Sequence, residues 1–333
     1  MKQFPIVRAS GTHYEVGRAV GRCIREGIVK LFTNNKSLYP DYFIRFRLQA
    51  EELLQLTQNY FPQYVDELRG LADGAGLDME ELFLSNAHQL SYFTDPMISD
   101  HCTIIGIPSG NEYILGHNED WKAEALEHLY ILDADIAGIH IFGLGYDFAN
   151  TIIGDSAAIN QFGLVEAINE LSHQDMQAGV PKAFVARAII DCKTLEEAED
   201  LIKTIPRRSG FNHLLVQGNR LWNIETSAKE FVTEKKEREK YVHTNHYITH
   251  LKRLDLGTVT SVGRYEKVQK LLSSINTIED IKRVLTDKED PQICRNETIG
   301  SVIIDVPNKV AHVAYGQPTP ESYVEYSLAH VFQ

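Results

Sequence analysis

The segment His101-Cys102-Thr103-Ile104-Ile105-Gly106-Ile107-Pro108-Ser109-Gly110-Asn111-Glu112-Tyr113-Ile114-Leu115-Gly116-His117-Asn118-Glu119-Asp120-Trp121 decides the fold. Cys102 to Ile107 is short, apolar and partly β-branched. Pro108 to Asn111 supply turn chemistry, and Glu112 to Gly116 resume an apolar run, so the segment reads as a β-hairpin. The end of the second strand of a hairpin returns beside the start of the first. That places Asn118 and Asp120 near Cys102, with their two side chains on one face by parity.

Upstream of this hairpin the texture is helical. Apolar and charged residues alternate at helical spacing over Glu15–Leu31 and Ile44–Tyr60, and Val65–Leu71 and Met79–Phe93 are further helical candidates. Asp78, with Glu81 three residues on, resembles a capping box, and Pro96 interrupts the pattern. Downstream, strands are expected at Leu129–Leu132, Ile139–Phe142, Thr151–Ile153, Leu164–Ile168, His213–Val216, Leu221–Glu225 and Glu230–Thr233. A closing strand pair is expected at Ser301–Val306 and Val310–Tyr315. Helices are expected at Ala183–Ile205, Tyr265–Leu272 and Ile278–Leu285. Antiparallel hairpins with segregated helices indicate an α+β class.

The chain has 333 residues, 43% of them hydrophobic, enough for one large core or two modest ones. Its 46 acidic against 33 basic residues give a net charge of −13, which disfavours nucleic acid or an anionic membrane as the main partner. Cys23, Cys102, Cys192 and Cys294 form no CxxC pair, so neither a zinc site nor a dense disulfide framework is indicated. No apolar run has the length of a membrane span, and the first residues lack the apolar stretch of a secretory signal. A cytoplasmic protein with reduced thiols is expected. His243, His246 and His250 could share a helix face, but Tyr241–Asn245 reads as a strand end and no nearby carboxylate or cysteine completes a ligand set. No metal and no cofactor are expected.

Cys102 stands apart from the other cysteines because it opens a strand where helical texture gives way to β texture. His101-Cys102-Thr103 followed by Asn118-Glu119-Asp120-Trp121 resembles the signature of the acyl-coenzyme A:6-aminopenicillanic acid acyltransferase family, within the N-terminal-nucleophile hydrolases. Further segments resemble it in the same order. These are Ser10-Gly11-Thr12-His13-Tyr14-Glu15-Val16-Gly17, Asn160-Gln161-Phe162-Gly163-Leu164 with Asn169, His243-Thr244-Asn245-His246-Tyr247, Arg295, and Gly316-Gln317-Pro318.

The resemblance implies a four-layer αββα fold, two antiparallel sheets between helical layers. It implies a precursor that cuts itself between His101 and Cys102. Residues 1–101 then form a helical pro-segment, and residues 102–333 the catalytic part of what is structurally one domain. The Cys102 thiol would attack the preceding carbonyl, and water would release the upstream piece. The freed α-amino group, of unperturbed pKa about 8, would then serve as base for its own thiol. Matched to the family, Asp120 bonds that amino group, Asn245 stabilises the tetrahedral oxyanion, and Asn169 is a second donor. Arg295 holds a substrate carboxylate or tunes the charge, and Thr103 assists the cut; Asn118 joins the substrate side through the hairpin. One position departs: the family usually has glycine before the cysteine, and here it is His101, whose imidazole could shuttle a proton.

The expected activity is hydrolysis of a linear amide of a small N-acyl amine or peptide-like molecule through a thioester. The alternatives are transfer of the acyl group to an amine, a thiol protease with a separate histidine base, and a non-enzymatic binding protein on a degenerate fold. The expected partners are the small-molecule amide or acyl donor and the two cleavage fragments for each other, with a homo-oligomer also open.

Overall fold

The computed structural model describes residues 2–38, 44, 46–85, 102–146, 150–258 and 260–333. The hairpin is its organising unit. β2 (Thr103–Ser109) pairs antiparallel with β3 (Glu112–Asp120), from Thr103 opposite Asn118 to Ser109 opposite Glu112. Gly110 turns the chain at φ +63°, a left-handed value that glycine adopts without a Cβ clash.

Six strands make the hairpin's sheet, in the order β11 (Tyr241–His243), β2, β3, β12 (Thr298–Asp305), β13 (Val310–Tyr315) and β14 (Val324–Ser327), with every pair antiparallel. Eight strands make the other. Their order is β1 (Ile6–Gly11), β4 (Leu129–Ile136), β5 (Ile139–Tyr146), β6 (Ala157–Asn160), β7 (Val165–Glu170), β8 (Phe211–Gln217), β9 (Arg220–Thr226) and β10 (Phe231–Glu237). All of its pairs are antiparallel except β1 with β4.

Successive strand residues point to opposite faces, and here both faces are covered. Ile104, Tyr113 and Leu115 of the hairpin enter a core between the sheets with Leu144, Ile159, Val165 and Leu214. Ile105, Ile107 and Ile114 face the other way, onto Val268 of α8 (Ser261–Leu271) and Ile281 and Leu285 of α9 (Ile278–Leu285). The far face of the eight-stranded sheet, with Leu132, Ala134, Ile141 and Ile224, packs on a third core. That core holds Val16 and Val20 of α1 (His13–Cys23), Ile28 of α2 (Arg25–Leu38), Leu53 of α3 (Arg47–Tyr60), Leu68 and Leu71 of α4 (Pro62–Ala75), Leu82 of α5 (Met79–Ser85) and Phe184 of α6 (Lys182–Ile189). The result is a four-layer αββα sandwich. Burial on both faces explains why the strands read as continuous apolar runs.

Within the outer helical layer α1 and α4 lie backbone to backbone. A Cβ on Gly17 would stand 2.1 Å from the Glu67 carbonyl oxygen, and one on Gly70 2.1 Å from that of Tyr14. In a free helix Gly→Ala would be favourable, but here it forces the helices apart. Gly17→Ala is expected to destabilise the fold by about 1–3 kcal/mol, read as a lower urea midpoint at unchanged slope. The layer is pinned to α6 by a buried ion pair, with Arg187 Nη2 2.9 Å from Glu67 Oε2.

Three expectations change, and a fourth is met as far as the described residues reach. The N-terminal part is not wholly helical, because Ile6–Gly11 forms the edge strand β1 beside β4. Thr151–Ile153 is a buried bend, not a strand. It runs into Gly154 at φ +112°, where a Cβ would meet the Arg187 backbone at 2.7 Å, and strand pairing resumes at Ala157. The helix expected over Ala183–Ile205 is two, α6 and α7 (Leu195–Thr204). Asn160 Nδ2 captures the carbonyls of Ile190 and Cys192, each at 2.8 Å, and Thr194 caps a fresh start by accepting from the Glu197 N–H. The helix over Met79–Phe93 is seen as Met79–Ser85, capped by Asp78, which accepts from the Glu81 N–H at 2.9 Å; its remainder lies outside the described residues.

Candidate active site

Cys102 sits one residue before β2 and is 5% exposed. Continuing the β2–β3 register past Thr103–Asn118 sets Glu119 directly across from it. Cys102 Sγ donates to Glu119 Oε1 at 3.4 Å. The other Glu119 oxygen is 2.9 Å from His117 Nε2, and the Tyr146 hydroxyl bonds the same carboxylate. The Asp120 backbone N–H points at the sulfur. Burial, then the Glu119 and Asp120 charges, push the Cys102 thiol well above its ordinary range.

Two side chains clamp the Cys102 carbonyl oxygen. Asn169 Nδ2 donates to it at 3.1 Å from β7, and Arg264 Nη1 at 2.9 Å from α8. Arg264 is fully buried. Its guanidinium also reaches Thr103 Oγ1 at 2.7 Å and Asn245 Oδ1 at 2.9 Å, so one planar fork ties nucleophile backbone, following threonine and asparagine together. Asn245 Nδ2 donates to the Glu170 carbonyl at 3.2 Å, which uses one of its two amide protons. Asn169 is itself held, its oxygen accepting from Asn212 Nδ2 at 3.3 Å and lying 3.1 Å from His243 Nδ1. His243 in turn contacts Glu225 at 3.0 Å, and His246 contacts the Ser261 hydroxyl at 2.8 Å.

Asp120 ends β3 fully buried. Its Oδ1 accepts from Thr298 Oγ1 at 2.6 Å, and its Oδ2 lies 3.9 Å from Arg295 Nη1. Burial raises its pKa to about 7 despite the opposing pull of Arg264, Thr298 and Arg295. Arg295 also pairs with Glu297 at 3.5 Å and borders the nucleophile through Asp120.

Cys102, Thr103, Asp120, Asn169, Asn245 and Arg295 therefore converge on one buried locus. Asn118 lies near Cys102 along the hairpin, but its side chain does not face the nucleophile, which corrects its expected place on the substrate side. Thr103, not Cys102, is its register partner, so parity turns it to the helical face. There its Nδ2 donates to the Leu285 and Ile293 carbonyls at 2.8 and 3.2 Å and ties α9 to the sheet. His101 lies outside the described residues. Two residues escaped the sequence reading, Glu119 and Arg264. Glu119 was legible in principle, since register alone sets it opposite Cys102. Arg264 left no local signal, being an arginine on an ordinary amphipathic helix.

Comparison with known proteins identifies the family. The family described as acyl-coenzyme A:6-aminopenicillanic acid acyl-transferase matches residues 108–320. A β-alanyl-dopamine/carcinine hydrolase of Drosophila melanogaster is 30% identical over 226 residues, 60% of this chain, and the chain spans only 57% of that relative's length. The 40 kDa form of acyl-coenzyme A:6-aminopenicillanic-acid-acyltransferase of Emericella nidulans is 22% identical, over 94% of this chain and 92% of that protein. Among solved structures, a variant of conjugated bile acid hydrolase from Clostridium perfringens superposes with a TM-score of 0.48 at 12% identity, covering 70% of this chain and 94% of that one. By the family match over most of its length, the chain belongs to the acyl-coenzyme A:6-aminopenicillanic acid acyl-transferase family.

Proposed function

We propose that the chain is a cysteine amide hydrolase that makes its own N-terminal nucleophile by cutting between His101 and Cys102. The observation that carries this reading is the locus around Cys102. A buried thiol stands at the head of a strand, its own carbonyl clamped by Asn169 and Arg264, with Asp120 and Asn245 within the same bonded network. In the uncut chain the thiol is held protonated. After the cut, the new α-amino group brings a positive charge and a base to the sulfur, which lowers the cost of the thiolate. Asp120 is the partner for that ammonium, and Arg295 tempers its charge. The Cys102 sulfur attacks the substrate carbonyl, Asn245 donates to the developing oxyanion, the amine leaves with a proton from the α-ammonium, and water resolves the thioester.

The substrate class is a small N-acyl amine. The name of the fly relative, a hydrolase of β-alanyl-dopamine and carcinine, supports an amide whose acyl part is short. The cut pieces stay together on this reading, because β1 is hydrogen-bonded to β4 and α1 and α4 cover the eight-stranded sheet. No helix among the described residues is long and apolar enough to cross a membrane. A cytoplasmic setting is supported by the four unpaired cysteines.

The test is hydrolysis of N-(β-alanyl) amines by the purified chain, with and without a second amine as acceptor. Release of free β-alanine at a rate indifferent to the acceptor is the expected result. Acyl transfer as the main reaction would show as a new amide growing with acceptor concentration. Asn245→Ala is expected to lower kcat about 10²–10³-fold with little change in KM, the usual cost of one oxyanion donor. An unchanged kcat would remove Asn245 from that role.

A further inference from the structure

The α-amine mechanism leaves one step without a base. Before the cut there is no α-amine, yet the cut itself needs the Cys102 thiol to lose its proton. The described groups around the sulfur narrow the choice. Asp120 presents its backbone N–H to the sulfur, while its carboxyl group is engaged by Thr298 and Arg295. Arg264 holds the carbonyl on the other side. A His117 ring nitrogen lies within 4.8 Å of the sulfur, but its Nε2 is hydrogen-bonded to Glu119, at 2.9 Å. Among the described residues, Glu119 supplies the oxygen that accepts from Sγ, at 3.4 Å.

We propose that Glu119 is the base and then the acid of self-cleavage, with His117 and Tyr146 as the residues that position it. This rests on the reading of Cys102 as a self-cutting nucleophile. In the step, Glu119 Oε1 takes the Sγ proton as the sulfur forms its bond to the His101 carbonyl carbon. The tetrahedral intermediate collapses with breakage of the C–N bond, and the departing Cys102 nitrogen takes the same proton back from Glu119. This leaves a thioester and a neutral amine. Water then adds to the thioester carbonyl and the C–S bond breaks, giving the His101 carboxylate, the free thiol and a proton, which the new α-amine takes up. No oxidant or further co-reactant enters.

The surroundings suit this task. Glu119 is 4% exposed, and both its oxygens are engaged, one by the thiol and one by His117 at 2.9 Å. Its carboxylate plane is therefore held against the sulfur by contacts from β3 itself and from β5, through Tyr146. Antiparallel register places Glu119 opposite Cys102, the residue that carries both the sulfur that must be deprotonated and the backbone nitrogen that must be protonated. One carboxyl group can thus serve both halves of the N-to-S exchange. A carboxylate next to a buried thiol also disfavours a free thiolate. The chain therefore holds its nucleophile silent until proton transfer and attack occur together.

The experiment follows conversion of the newly made 37.7 kDa chain to fragments by intact mass, for wild type, Glu119→Gln, Glu119→Asp and Glu119→Ala, the last with and without sodium formate. Glu119→Gln keeps the shape and is expected to cut at least about 10²-fold more slowly. Glu119→Asp is expected to fall between, and Glu119→Ala to recover in proportion to formate but not to sodium chloride at equal ionic strength. Rescue by a small carboxylate is something a purely structural role would not produce. A Glu119→Gln chain cutting at the wild-type rate overturns the assignment, and so does a slow Glu119→Ala chain that formate fails to rescue. Either result, with wild type cut, leaves the Cys102 reading standing. A wild-type chain that never cuts overturns both.

Discussion

Cys102→Ala is expected to remain a single 37.7 kDa chain and to hydrolyse no amide above background, a loss of at least about 10⁴-fold. Both losses follow from one atom, since the sulfur that opens the chain is also the sulfur that carries the acyl group. The fold should survive, because the change removes a small buried group from a site closed by backbone and polar bonds, and about 1 kcal/mol is the ordinary cost of such a substitution. Cys102→Ser separates the two roles. Its hydroxyl can make the same N-to-O exchange, but it is a poorer nucleophile and its ester a different intermediate. Slow cutting with hydrolysis far below wild type is therefore expected. The check is intact mass beside amide hydrolysis on the same preparations, with thermal unfolding to confirm that all three chains are folded. Full hydrolysis by Cys102→Ala would remove the thiol from the chemistry.

The second large effect is expected at Arg264. Its guanidinium donates to three acceptors, the Cys102 carbonyl, the Thr103 hydroxyl and the Asn245 side-chain oxygen, all buried. Arg264→Met fills much of the same volume and leaves those acceptors without their donor. Some relaxation is available, since Asn169 still holds the Cys102 carbonyl. The loss should be about 3 kcal/mol of stability, the order expected for charged hydrogen bonds broken with their partners left buried. Self-cleavage should slow by about 10²-fold, because a nucleophile moved by a fraction of its reach loses the aligned attack. Asn245 is displaced at the same time, so hydrolysis by whatever fraction does cut should fall in kcat rather than KM. Arg264→Lys keeps the charge but one point of attachment instead of a fork, and should recover part of the stability and little of the rate. Wild-type cutting by Arg264→Met would reduce the fork to a packing element.

How far the sequence alone reached can be read at particular residues. The hairpin at Cys102–Asp120 was legible because turn chemistry at Pro108–Asn111 separates two apolar runs of strand length. The capping residues Asp78 and Thr194 were legible because a short oxygen three residues before an acidic residue has few other uses. Other elements were hidden for identifiable reasons. Ile6–Gly11 is too short and too half-exposed to announce an edge strand, and it pairs with a strand more than a hundred residues away. The break between α6 and α7 depends on Asn160, the last residue of β6 in another layer, capturing two carbonyls. At the site, the residues within the hairpin and the family-like motifs were legible, and those meeting only in three dimensions were not. Arg264 reaches Cys102 across 162 residues of chain. Asn118 shows what pairing adds to parity: the sequence set it on one face with Asp120, and only its pairing with Thr103 shows that this is the face toward the Leu285 and Ile293 carbonyls.

Self-cleavage before Cys102 is the step on which every role assigned to the site depends. Intact mass of the freshly purified wild-type protein, followed by determination of the first residue of each piece, tests this most directly. Division of the 37.7 kDa chain of 333 residues after residue 101 gives pieces of about 11 and about 26 kDa, the larger beginning with Cys102. Those two masses, remaining together through gel filtration and absent from Cys102→Ala, are the predicted result. A wild-type protein that stays at 37.7 kDa and still hydrolyses an amide would contradict the N-terminal-amine mechanism.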